Sequence, residues 1–277
     1  MPYIKETCKA GKTKEYCFYY SSRYHSKKEG KRAKKGKPTS EAQKKVNARQ
    51  AEKKLIRKIN ANLTPDDLYL TLSYKPEEKP KDREEMRKHM ENFLRRIRRI
   101  YKKAEKVLKY IWVAEIGSRG AMHFHIILSG IEVSKIRKAW TFGHVNFQYM
   151  WDDGNYKRLA EYFVKYSEKT MGTEEELQGK RWNGSKNLIT PPEKKTVIRS
   201  KDHYSMTIEV PAGFYLDKDS VQQGIHEITG YSYLNYRIVK FKDRQIEKDR
   251  AEEKEIWEAT QDGAVFKGKK KKKKRKA

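Results

Sequence analysis

Between Asp67 and Met150 the chain changes its hydrophobic period in a fixed order, and that order restricts the fold more than any other feature. Leu68, Leu70 and Leu72 alternate with Tyr69, Thr71 and Ser73, which predicts a strand from Asp67 to Tyr74. Met86, Met90, Phe93, Leu94, Ile97 and Tyr101 then recur at helical intervals, predicting an amphipathic helix from Asp82 to Ala104. Two further strand-like runs, 109–117 and 121–128, flank Gly117-Ser118-Arg119-Gly120 and predict a hairpin. A short helix from Val133 to Trp140, a strand from His144 to Met150 and a helix from Asn155 to about Thr170 complete the series. The order β-α-β-β-α-β predicts an α+β fold, a ferredoxin-like or RRM-like central antiparallel sheet with flanking helices.

The flanks read differently. Residues 1–40 lack apolar periodicity and predict an irregular basic arm or a short strand pair. Residues 40–60 have helix-forming composition, with Ser40 as N-cap, Gln43 three residues on, and a narrow stripe of Val46, Leu55, Ile56 and Ile59. Met171 to Ser200 is polar and rich in Gly and Pro, which predicts a loop. Strand-like alternation returns over 201–242, and 243–277 is a charged helix ending in a lysine-rich, disordered tail. The expected organisation is therefore an arm and helix over 1–60, a principal domain over 61–200, a strand-like addition over 201–242, and the charged end.

A formal net charge of +28, with 37% charged residues, exceeds what solubility needs and predicts a polyanionic partner. No run approaches the roughly 18 apolar residues of a membrane span, and the start lacks the apolar core of a signal peptide, so the expectation is a soluble, unexported protein with no membrane partner. Cys8 and Cys17 are too few for a disulfide framework, and their spacing to His25 fits no zinc motif, which predicts reduced thiols.

The chemistry concentrates in two places. His123 and His125 stand two apart in a strand and so share a face, while the hairpin brings Glu115 near His123. If the three converge, two imidazoles and a carboxylate leave positions open on a divalent ion such as Mg²⁺ or Mn²⁺. Downstream, Tyr162 and Tyr166 lie one helical turn apart, each followed three residues later by a lysine, Lys165 and Lys169. A phenol, with an ordinary pKa of about 10, needs a cation or base to become a nucleophile, and a metal with a lysine would supply that. Plainer roles compete at each position. The histidines can be structural, Glu115 can pair with Arg119, and the tyrosines can simply pack their helix with the lysines in solvent. Arg95, Arg96, Arg98, Arg99 and Arg119 either bind DNA phosphates or form solvated faces.

Four stretches together resemble the HUH endonucleases, specifically the replication initiators of rolling-circle plasmids and small phages. They are Tyr69-Leu70-Thr71-Leu72-Ser73-Tyr74, Trp112-Val113-Ala114-Glu115 with Arg119-Gly120, His123-Phe124-His125, and Tyr162 to Lys169, spanning roughly Asp66 to Pro192. The resemblance implies a nicking domain over 61–200 in which His123, His125 and Glu115 bind the metal. It implies that Tyr162 or Tyr166 cuts single-stranded origin DNA and keeps the 5′ end, and that Lys165, with Lys169 second, positions the phosphate or metal. It also implies a host polymerase, a host helicase and a bacterial cytoplasm. A helicase within the chain would need a phosphate-binding loop, and Gly30 to Gly36 followed by Lys37-Pro38 has the wrong spacing for one. A related reading is a single-strand transposase or mobilisation nickase, disfavoured because the tyrosines follow the histidines. The reading from another class is a noncatalytic binder of single strands.

Overall fold

A computed structural model describes residues 2–21, 41–117, 121–150, 154–170, 180–199, 207–226 and 230–241, with backbone alone at 41–43, 45 and 166–170. The strands are β1 (Tyr3–Ala10), β2 (Thr13–Tyr20), β3 (Leu68–Tyr74), β4 (Tyr110–Ile116), β5 (Met122–Leu128), β6 (Gly143–Tyr149), β7 (Asn183–Gly184), β8 (Glu193–Ile198), β9 (Phe214–Ile225) and β10 (Ser232–Lys240). The helices are α1 (Glu41–Asn62), α2 (Arg83–Lys103), α3 (Val133–Ala139) and α4 (Lys157–Thr170). The fold is α+β, built on two antiparallel five-stranded sheets.

The first sheet has the order β6-β3-β5-β4-β7. β3 and β4 both run antiparallel to β5, so they are parallel to each other and need a crossover, which α2 provides. Asp82 caps α2 by accepting from the Glu85 amide at 2.8 Å, and every apolar position expected from its period is buried, from Met86 to Tyr101. With Leu68, Leu70, Leu72, Phe124 and Ile126 these residues form the core on one face, which α3 completes through Ile136 and Ala139. The other face carries Ile111, Val113 and Ile127 and is covered by Leu55, Ile56 and Ile59 of α1 and by Leu159, Ala160, Phe163 and Val164 of α4. Val46, which the sequence pattern places in the same stripe, is exposed.

The second sheet, β8-β1-β2-β10-β9, joins the first twenty residues to the later strand-like segment. One expectation is corrected here and one left open is decided. The 171–200 stretch, expected as loop, contributes β8 to this sheet and β7 to the first. The basic start is a strand pair bound into a sheet, whose inner face packs on α1 through Ile4, Cys8 and Ala10. The physical reason is that this inner face is largely ionic. Arg57 of α1 binds Glu6 at 3.0 Å and Glu193 at 2.5 Å and also holds Glu15, while Arg237 joins Glu15 at 3.1 Å to Asp217 at 3.3 Å. Glu6 and Glu15 interrupt the inward rows of β1 and β2, so these strands show no clear apolar alternation. Cys8 and Cys17 are free and buried on this side; burial pushes the Cys17 thiol up to about 11, and its sulfur accepts from Lys53 at 3.1 Å.

Glu6 gives this layer a pH dependence. Burial by itself would raise its carboxyl, but Lys53 and Arg57 outweigh burial and hold it at about 2 against an ordinary 4.5. Because the folded value lies below the unfolded one, the stabilisation is complete above pH 4.5 and disappears as pH falls toward 2. At about 1.4 kcal/mol per unit, denaturant titrations at neutral pH and at about pH 2 should differ by about 3 kcal/mol from this group, and Glu6→Gln should remove that difference.

The C-terminal charged helix and tail, Ser40, and the hairpin tip 118–120 lie outside the described residues. Among the described residues no helix is long and apolar enough to cross a membrane.

Candidate metal and tyrosine centre

The hairpin register fixes the centre. Glu115 of β4 lies directly opposite His123 of β5, and His125 faces Val113 on one side and Thr71 of β3 on the other. The hairpin closes at its base with the Gly117 amide donating to the Ala121 carbonyl at 2.8 Å. Strand alternation sends Glu115, His123 and His125 to the face covered by α1 and α4.

Both imidazoles aim Nε2 at one carboxylate oxygen. Glu115 Oε2 lies 2.7 Å from His123 Nε2 and 2.9 Å from His125 Nε2. All three ligand atoms fall within 4.8 Å of one another. Neighbouring ligands on an octahedral ion with bonds of about 2.1 Å stand about 3 Å apart, so the donor set fits a divalent cation with little movement. Burial, aided by neighbouring His123, holds His125 below the ordinary imidazole range although Glu115 pulls the other way, so the neutral ring is favoured. His125 is 3% exposed, whereas His123 keeps 21% of its side chain in solvent, leaving one side of the centre open.

Tyr69 and Thr71, whose side chains have no assigned role in the sequence reading, brace His125 from behind. The Tyr69 hydroxyl stands 2.7 Å from His125 Nδ1 and Thr71 Oγ1 stands 3.3 Å from it. With a proton on Nδ1 these oxygens accept it, and Nε2 is left able to serve as a ligand atom. Only their place on the same strand face, two residues apart, could have revealed them. Tyr69→Phe should weaken Mn²⁺ binding about tenfold by titration calorimetry, with Thr71 keeping part of the support; unchanged affinity would mean that the ring is oriented by other contacts.

α4 brings Tyr162 to the same place. Its hydroxyl lies 3.4 Å from His125 Nε2, and the two rings meet edge to face with centroids 5.1 Å apart. The neighbouring Phe163 and Val164 are buried beneath α4 and fix its rotation, while Lys165 is exposed. Tyr166 and Lys169 lie on α4, but their side chains, like all of Arg119, fall outside the described residues. The α2 arginines stand on the opposite side of the sheet. Arg95 binds Asn92 at 2.9 Å, Arg96 binds the Ala139 carbonyl at 3.0 Å, Arg98 binds the Tyr110 hydroxyl at 3.1 Å, and Arg99 is exposed. The structure does not bring them to the centre.

Residues 67–171 match the family model described as Replication-associated protein ORF2/G2P. The matched stretch begins just before β3 and ends just after α4, so it contains Glu115, His123, His125 and both tyrosines. No curated protein and no solved structure matches the chain. Over its central part the chain is thus similar to replication-associated proteins.

Proposed function

We propose that this protein is a metal-dependent nickase and strand transferase of the HUH type that initiates rolling-circle replication on single-stranded origin DNA. The observation that carries the reading is the convergence of Glu115, His123 and His125 beside the Tyr162 hydroxyl, inside the stretch that is similar to replication-associated proteins.

Glu115, His123 and His125 would hold Mg²⁺ or Mn²⁺. When bound, the ion supplies Lewis-acid stabilisation to the charge that grows on the scissile phosphate. Tyr162 or Tyr166 attacks phosphorus; the new bond joins the phenol oxygen to the 5′ phosphate, and the bond to the 3′ oxygen breaks, releasing a 3′ hydroxyl. Lys165 sits three residues from Tyr162, a spacing that places its ammonium on the adjoining part of the helix surface, where it favours the phenolate and the phosphate. The phenol proton passes to water at the open side, and water returns a proton to the leaving 3′ oxygen. A second tyrosine one turn on allows a second transfer while the first holds a strand end. The freed 3′ end would prime a host polymerase, with a host helicase opening the duplex in the bacterial cytoplasm.

Incubation with single-stranded DNA carrying the origin sequence and Mn²⁺, followed by denaturing electrophoresis, tests the reading. A protein-DNA adduct that resists denaturation and disappears with chelator is expected. DNA binding without any adduct would identify a noncatalytic binder, and an adduct that rejoins only transposon or transfer-origin ends would identify a transposase or mobilisation nickase.

A further inference from the structure

The outer face of the second sheet lies apart from the metal and tyrosine centre, with α1 and the sheet's own ionic inner face between them. Its cross-strand rows are Tyr3 with Tyr20, Lys5 with Phe18 and Leu234, Thr7 with Tyr16 and Tyr236, and Lys9 with Lys14 and Ile238. Tyr16 stacks on Tyr236 at 5.0 Å, and Tyr20 stacks on Tyr231 at 3.8 Å with Tyr3 edge-on to Tyr20 at 5.7 Å. Tyr16 and Tyr236 are buried, whereas Tyr231 is 39% exposed at the end of the row.

Two properties separate this face from an ordinary core. Its Leu234 and Ile238 part is buried, with Ile208, Phe214, Leu216 and Val221 packed on it, but among the described residues no helix packs on this cluster, and lysine ammonium groups lie over the rings of β2: Lys5 Nζ is 5.5 Å from the centre of Tyr16 and 5.6 Å from that of Phe18, and Lys14 Nζ is 5.0 Å from that of Tyr16. The charges are also sorted by face. The carboxylates of β1, β2 and β8, namely Glu6, Glu15 and Glu193, all lie on the inner side, where Arg57 pairs them. The outer side receives Lys5, Lys9, Lys14 and Lys194. Among the described residues Glu209, whose backbone bonds the Tyr236 phenol, is an acid beside this face.

We propose that this outer face is a second binding surface for single-stranded DNA, with Tyr20, Tyr231 and Phe18 as the stacking platform and Lys5, Lys9, Lys14 and Lys194 on the phosphates. Rings accept only bases that are unpaired, and a base on each ring with a cation beside it is the arrangement that binds single strands with little sequence preference. Phe18 and Tyr20 alternate on β2 about 7 Å apart, a step that an extended strand can follow with one base on Phe18 and the next on the outer face of the stacked Tyr20–Tyr231 pair. The surface holds a strand away from the centre that cuts, and it does so whether or not the chain cuts DNA.

Photo-crosslinking of the full chain to oligodeoxythymidine carrying 5-iododeoxyuridine tests this without relying on nicking. Tryptic mapping is expected to find the crosslink in residues 15–23 or 219–237, which contain Tyr20 and Tyr231. Tyr20→Ala with Tyr231→Ala should weaken binding of the same oligonucleotide at least about tenfold at raised salt, while Tyr20→Phe with Tyr231→Phe keeps it and shows that the sheet is intact. Lys5→Ala with Lys14→Ala should flatten the salt dependence. Crosslinks confined to other peptides, wild-type affinity in the alanine pair, or tighter binding of oligouridine that the same pair abolishes would overturn the assignment.

Discussion

Tyr162→Phe combined with Tyr166→Phe is expected to lower formation of the covalent protein-DNA adduct at least about a thousandfold while leaving DNA affinity within about threefold of wild type. The change removes two hydroxyls and retains the rings. Tyr162 lies partly within the apolar cluster that joins α4 to α1 and the sheet, so phenylalanine keeps that packing and the helix stays in place. What disappears is the oxygen 3.4 Å from His125 Nε2, the atom that would bond to phosphorus. Each single variant should retain part of the activity if the two phenols alternate. A double variant that still forms the adduct would remove both tyrosines from the reaction. Gel quantification of labelled DNA retained by denatured protein gives the number.

Arg57→Ala should be the most damaging single change to stability, costing about 4 kcal/mol in denaturant unfolding. This guanidinium binds three carboxylates, and Glu6 and Glu15 are nearly inaccessible to water. Lys53 and Lys195 still reach Glu6, and Arg237 still reaches Glu15, so the loss is less than two bare buried charges would impose. The pH dependence identifies the cause. Without Arg57 the Glu6 carboxyl loses part of what offsets burial, so its folded value moves back toward the ordinary one and less stability is lost as the pH falls from 4.5 toward 2. Wild type loses stability over that range and the variant loses less, so the deficit should shrink in acid. A deficit constant from pH about 7 to pH about 2 would point to lost packing of the side chain rather than to stranded charge.

The first sheet was legible because it is held by apolar alternation: Leu68, Leu70 and Leu72 announce β3, and the spacing from Met86 to Tyr101 announces α2. The hairpin register that sets Glu115 opposite His123 followed from the glycines at its turn. The strands of the second sheet were legible in part, β9 and β10 as strand-like alternation and β1 with β2 as one of two readings, but their union was not, because Glu6, Glu15, Glu193 and Lys195 occupy inward positions that sequence patterning assigns to solvent. Their partner, Arg57, lies more than thirty residues away from any of these strands in sequence, a pairing that no local pattern encodes. Tyr69 escaped notice as a brace for His125 because a tyrosine in a strand ordinarily signals nothing beyond β propensity. Charge alone left the arginines of α2 as either phosphate ligands or a solvated face, and in the structure Arg96 and Arg98 bond within the protein.

The account turns on a phenol of α4 reaching a phosphate held at the Glu115, His123 and His125 centre. Cleavage by trypsin after Arg158, Lys165 and Lys169 places Tyr162 in residues 159–165 and Tyr166 in residues 166–169. Mass spectrometry of these peptides, after reaction with single-stranded origin DNA and Mn²⁺ and nuclease trimming, should find a nucleotide joined through its 5′ phosphate to one of them, absent when chelator is added or when His123 is alanine. DNA cut by the wild-type protein with both ends free, or a nucleotide attached to any other residue, would contradict it.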